Sequence, residues 1–113
     1  MIAIDELIFT VLTQNTSDLN AERAYDSLRK VLPTWGEVIE AETSQVAEAI
    51  KRGGLSNQKS VRIQKILVEI LKRLGHFELE FLADRPLEDA REWFTSLPGV
   101  GPKTASVVMS FSL

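Results

Sequence analysis

The chain contains no cysteine, which excludes disulfides and any thiolate-ligated zinc or iron–sulfur centre built from these residues. One histidine, His76, cannot hold a metal alone, and no serine is paired with a histidine in a triad-like arrangement. Conventional hydrolase chemistry is therefore disfavoured. No apolar run approaches the roughly 18 residues of a membrane span, and no basic start with an apolar middle marks a secretory signal. A protein of the cytoplasm or nucleoid, without a membrane partner, is the expectation. Strand signals are also missing: period-2 alternation is not sustained, and β-branched residues are scattered among Ala, Glu, Lys, Leu and Arg.

What is present suits a single all-α domain over residues 1–113, with 44% apolar residues available for one core. The patterning predicts a first helix over Asp5–Thr13 with Leu7, Ile8, Val11 and Leu12 inward. Ser17 or Asp18 caps a second, with Leu19, Ala24, Leu28 and Val31 inward and Pro33 beyond its end. Short helices follow over Trp35–Ala41 and Ser44–Lys51, the latter closed by Gly53 and Gly54. Ser56 or Asn57 opens the longest helix, ending at Leu74, with Val61, Ile63, Ile66, Leu67, Ile70, Leu71 and Leu74 as its core face. After a turn near Phe81, a helix over Leu87–Thr95 leads into Leu97-Pro98-Gly99-Val100-Gly101 and a last helix from Pro102. Trp35, Trp93, Phe9 and Phe94 are assigned to the core.

The net charge of −3 argues mildly against a nucleic-acid partner. Its distribution is uneven: seven basic residues face one acidic residue between Lys51 and Arg73, whereas acidic residues dominate between Leu74 and Ser96.

The most informative stretch runs from Leu97 to Ala105. Two glycines around one apolar residue let the backbone turn tightly and approach an outside object, while Val100 anchors the turn. Pro102 at the first helical position leaves the new helix's N–H groups pointing outward. Free amides at the positive end of a helix dipole make an anion site. A plain connection punctuated by Gly and Pro is the alternative.

The string Leu97-Pro98-Gly99-Val100-Gly101-Pro102-Lys103-Thr104-Ala105 resembles the helix-hairpin-helix of the endonuclease III and oxoguanine glycosylase superfamily. Residues Ile8 to Asp18 are similar to that family's early helix and following loop. Gly54-Leu55-Ser56-Asn57-Gln58-Lys59 is similar to the segment that opens its long helix. The resemblance implies the six-helix barrel core, with the hairpin motif over about 87–113. It implies that Gly99, Val100, Gly101 and Thr104 meet a DNA phosphate, and that the backbone of Leu97 and Gly99 can seat a monovalent cation.

Lys103 falls where the family's bifunctional members carry a nucleophile. That amine attacks the sugar C1′, expels the damaged base and leaves a Schiff base from which the strand is cut. A nucleophilic amine must be neutral, and the first turn of a helix disfavours an ammonium; a solvated lysine contacting phosphate is the alternative. Leu55 matches the apolar wedge and Asn15 the polar plug that fill the hole left by a flipped nucleotide, with Gln14 the other candidate for the plug. An inward helix-start staple is the second reading of Leu55. Asn57 and Lys59 are placed on the DNA; Lys59, Arg62 and Lys65 are candidates to track phosphates, with plain surface helix charge the second reading of Arg62 and Lys65.

The family's catalytic aspartate, its four cluster cysteines and a packing N-terminal helix have no counterpart here. The chain thus reads as a truncated core, expected to be inactive alone as a glycosylase and prone to self-association through its apolar last helix. No cofactor is expected within it, and an iron–sulfur cluster would belong to the parent protein. The partner implied is duplex DNA with a damaged base or abasic site. Two other readings stand beside this one: a noncatalytic hairpin module that binds DNA backbones, and a helical interaction domain without a nucleic-acid role.

Overall fold

The computed structural model describes all residues from Met1 to Leu113, and they form helices and turns with no strand. Seven α-helices follow in order: α1 (Ala3–Thr13), α2 (Asp18–Val31), α3 (Trp35–Glu40), α4 (Thr43–Ala49), α5 (Ser56–Leu74), α6 (Leu87–Thr95) and α7 (Pro102–Ser112). Short 3₁₀ turns, Lys51–Gly53 and Glu80–Asp84, lie before α5 and α6. No helix is long and apolar enough to cross a membrane.

Local signals account for most boundaries. The Ser17 hydroxyl accepts the Asn20 N–H at the start of α2, and Thr34 does the same for Glu37 at α3. Gly75 ends α5 in the left-handed conformation, φ +75°. The core is one cluster of 26 buried residues drawn from every α-helix, with Phe94 its largest fully buried side chain. α1 packs against α2, α5 and α7, and α4 against α5, so α1 and α5 lie at the centre.

Four inward assignments fail. Leu19, Val31, Val61 and Leu71 are exposed. The buried line of α2 is Ala21, Ala24 and Leu28, and that of α5 is Ile63, Ile66, Leu67 and Ile70. At about 100° per residue, Leu19 and Val61 sit nearly opposite those lines and Leu71 a quarter-turn away, while Val31 closes a helix end that nothing covers. On α7, Val108 is buried but Phe111 is 74% exposed.

One aromatic cluster fixes the opening of α3. Phe9 meets Tyr25 edge-on at 5.6 Å, Tyr25 stands 6.5 Å from Trp35, and Arg29 lies over the Trp35 ring at 3.9 Å. The Trp35 indole N–H donates to Asp5 of α1 at 3.0 Å, giving a buried polar edge its partner. Burial, followed by the Asp5 carboxylate, pushes the Tyr25 hydroxyl up to about 12. A phenolate is thus disfavoured in the fold, so Tyr25 contributes stability below its unfolded value of about 10 and loses it as pH rises toward 12. Tyr25 is the only tyrosine, so ultraviolet absorbance reports it alone. Its titration is expected near pH 12 in the folded chain and near 10 in urea; coincident curves would contradict this.

Candidate functional site

The turn between α6 and α7 is held from below by two buried apolar pegs, Leu97 and Val100. The Val100 N–H donates to the Leu97 carbonyl at 3.2 Å, closing a turn with Pro98 and Gly99 at its centre. Gly99 has φ +72°, the left-handed value that a type II turn needs after proline. A Cβ there would also come within 3.1 Å of the Arg62 side chain. Beyond the turn, the N–H groups of Gly99, Gly101, Lys103 and Thr104 donate to no group of the protein. They form the free-amide end expected from the sequence, with Pro102 at the first helical position.

Two expected contact residues are used differently. Val100 spends its amide inside the turn and its side chain in the core. The Thr104 side chain is 4% exposed and its hydroxyl faces inward, so only its backbone N–H is available outside. Both follow from position, since a hairpin held close to the core must turn alternate groups into it.

Lys103 is exposed in the first turn of α7. It lines an open cleft of about 400 Å³ with Thr10, Thr13, Gln14, Asn15, Thr104 and Val107. The packing of α1 on α7 thereby brings together two segments some 90 residues apart, the loop after α1 and the hairpin helix. The lining offers one amine and no carboxylate. Gln14 and Asn15, alternatives on sequence alone, are separated by the fold. Gln14 is half-buried and hydrogen-bonded to Thr104 and Arg62, whereas Asn15 is exposed in the left-handed region, φ +56°. Leu55 is the other non-glycine residue with positive φ, +48°, and is 47% exposed. It stands outward and does not form an inward staple. Asn57 is exposed in the first turn of α5.

Lys59 requires the largest correction. It is 3% exposed, and its ammonium donates to the Leu12 carbonyl at 3.0 Å and the Gly53 carbonyl at 2.9 Å. These carbonyls belong to the last turn of α1 and the end of the first 3₁₀ turn, where backbone acceptors lack intrahelical partners and the dipole is negative. A buried cation without a counter-anion is tolerated there. Burial, then the Arg62 guanidinium, holds its pKa below the ordinary lysine range. Lys59 therefore clasps the loops bearing Asn15 and Leu55 from within and is not presented to a phosphate. Arg62, another phosphate candidate on sequence, is half-buried and donates to Gln14, a partner too far along the chain for any local pattern to signal.

A family model described as "HhH-GPD superfamily base excision DNA repair protein" matches residues 8–107. A candidate DNA glycosylase of Arabidopsis thaliana is 37% identical over 97% of this chain and 38% of its own length. Endonuclease III of Thermotoga maritima is 35% identical over 91% of this chain and 44% of its own. A trapped endonuclease III–DNA covalent intermediate superposes with a TM-score of 0.80 at 27% identity, covering 99% of this chain and 48% of that one. A non-covalent endonuclease III–DNA complex also gives 0.80, at 26% identity, over 100% and 49%. The chain spans less than half the length of each of these proteins. It belongs to the HhH-GPD superfamily of base excision DNA repair proteins.

Lys59→Ala leaves two buried carbonyls without a donor and a void where the stem lay. Urea unfolding is expected to show a loss of about 2–5 kcal/mol. Lys65→Ala, on the exposed side of the same helix, should stay within about 0.5 kcal/mol. Equal effects would contradict the clasp.

Proposed function

We propose that this HhH-GPD chain is the DNA-gripping, nucleophile-bearing part of a glycosylase and abasic-site lyase of the endonuclease III type, acting on duplex DNA with a damaged base or abasic site. The observation that carries the reading is the exposed Lys103 amine on one cleft with Asn15, next to a hairpin of unpaired amides. The free N–H groups of Gly99, Gly101, Lys103 and Thr104 would hold one backbone phosphate, aided by the positive end of α7. Leu55 would enter the stack as the flipped nucleotide leaves it, with Asn57 on the flank, and Asn15 would meet the unpaired base opposite.

The neutral Lys103 amine would then attack C1′. The C1′–N bond breaks with its electron pair going to the base, which takes up one of the amine's protons; the C1′–O4′ bond then breaks with its pair going to O4′, which takes the second, and the C1′=N imine forms. Loss of a proton from C2′ expels the 3′ phosphate, and water returns the amine. An abasic site already presents an aldehyde, so imine formation there needs only the amine.

The hairpin carbonyls of Leu97 and Gly99 are hard oxygen donors of the kind a monovalent cation takes. Such an ion would add positive charge beside the phosphate. With no cysteine, this chain's residues do not fit a thiolate-held iron–sulfur cluster.

The test is borohydride trapping of the 113-residue chain on abasic-site duplex DNA. A covalent adduct is expected, and Lys103→Ala should abolish it. An undiminished adduct in that variant would refute the nucleophile. Binding without any adduct would favour the noncatalytic backbone-binding module.

DNA affinity is expected to be weak and to fall only modestly with salt, since few side-chain cations are free to meet phosphates. Gly99→Ala combined with Gly101→Ala should weaken binding about tenfold or more, uniformly across sequences. A steep salt dependence would point to another, cationic interface.

A further inference from the structure

We propose that Gln14 is a positioning residue that sets Lys103 and Asn15 relative to one another; the inference rests on the reading of Lys103 as nucleophile. The Gln14 side chain lies between α5 and α7 and uses both ends of its amide. A guanidinium only donates, so the bond from Arg62 Nη1 requires the amide oxygen to face α5. The amide nitrogen must then face α7, where it donates to Thr104 Oγ1 at 3.2 Å. Thr104 is 4% exposed, and Gln14 is the only side-chain hydrogen-bond partner its hydroxyl has. The Arg62 stem lies against Gly99, closely enough that a Cβ there would be 3.1 Å away.

One guanidinium–amide–hydroxyl chain therefore joins the hairpin, the loop after α1 and the first turn of α7. Each member fixes a neighbour. Holding the Thr104 hydroxyl inward sets the rotation of that turn, and at about 100° per residue this directs Lys103 outward. Holding Gln14 sets where the backbone enters the left-handed conformation of Asn15. Apolar packing is non-directional; directional hydrogen bonds across three elements define the geometry more narrowly.

The experiment compares borohydride trapping rates at saturating abasic-site DNA, beside DNA affinity and thermal unfolding. Gln14→Leu keeps bulk and loses both bonds. Gln14→Leu with Thr104→Val also removes the orphaned hydroxyl, so that the fold survives. Both variants are expected to trap about tenfold or more slowly once bound, with affinity near the parent's. Gln14→Glu should restore the rate, since a carboxylate can accept from Arg62 and from a Thr104 hydroxyl turned donor.

An unchanged rate in the Leu variants, with Lys103→Ala inactive, overturns the inference alone. Rate, affinity and stability falling together without rescue by Glu would make Gln14 merely structural and also overturn it. An adduct that survives Lys103→Ala overturns the reading on which the inference rests.

Discussion

The structure depends on polar side chains of α5 reaching the carbonyl ends of other elements. The C-terminal end of each helix leaves acceptors that must find donors or water, and packing short helices around a central one removes much of the water. Lys59 supplies donors to Leu12 and Gly53, Gln64 donates to Val38 at 3.0 Å and Ala41 at 2.9 Å, and Arg73 reaches the Ser96 carbonyl. The ends of α1, α3, α6 and the first 3₁₀ turn are thus all tied to one helix. The apolar line of α5 provides adhesion, and these donors provide register.

That register makes two strained positions sustainable. A left-handed conformation is unfavourable for residues with a Cβ and persists only where the surroundings over-determine it. Asn15 lies three residues beyond Leu12 and Leu55 two beyond Gly53, so the Lys59 ammonium holds the base of both loops. The outward reach of two exposed side chains thereby derives from one buried charge. The turn at Gly99 obeys the same logic, with Leu97 and Val100 as pegs and the Arg62 stem as the floor.

Helix order and the hairpin were legible in the sequence because local chemistry sets them: a Ser cap, a terminal Gly, a Pro at a first helical position. The position of Lys103 beside free amides was legible for the same reason. Lys59 was not. A lysine early in a basic helix reads as surface because charged groups are rarely buried, and only the fold reveals that two helix ends converge on it. For Thr104 the sequence did not separate backbone from side chain: its N–H is free, but its hydroxyl is tied to Gln14. The bonds of Gln14 to Arg62 and Thr104 span 48 and 90 residues, separations at which a single sequence carries no periodic or capping signal.

The same accounting revises the electrostatics. Seven basic residues between Lys51 and Arg73 suggest a broad cationic face, yet Lys59 points inward, Arg73 pairs with Glu69, Lys51 pairs with Glu48 and Arg62 engages Gln14. Little of that charge is left to attract a polyanion, in a chain whose net charge is already −3. If each neutralised phosphate adds its own increment to the salt dependence, few increments are available. Contact with DNA on the proposed reading must then draw on uncharged backbone amides and helix polarity, which act only at short range and at fixed geometry. A surface of that kind positions a strand more than it captures one. Recognition accordingly falls to what the loops do once the backbone is seated, which is why the rigidity of Asn15, Leu55 and the hairpin matters more here than the number of lysines.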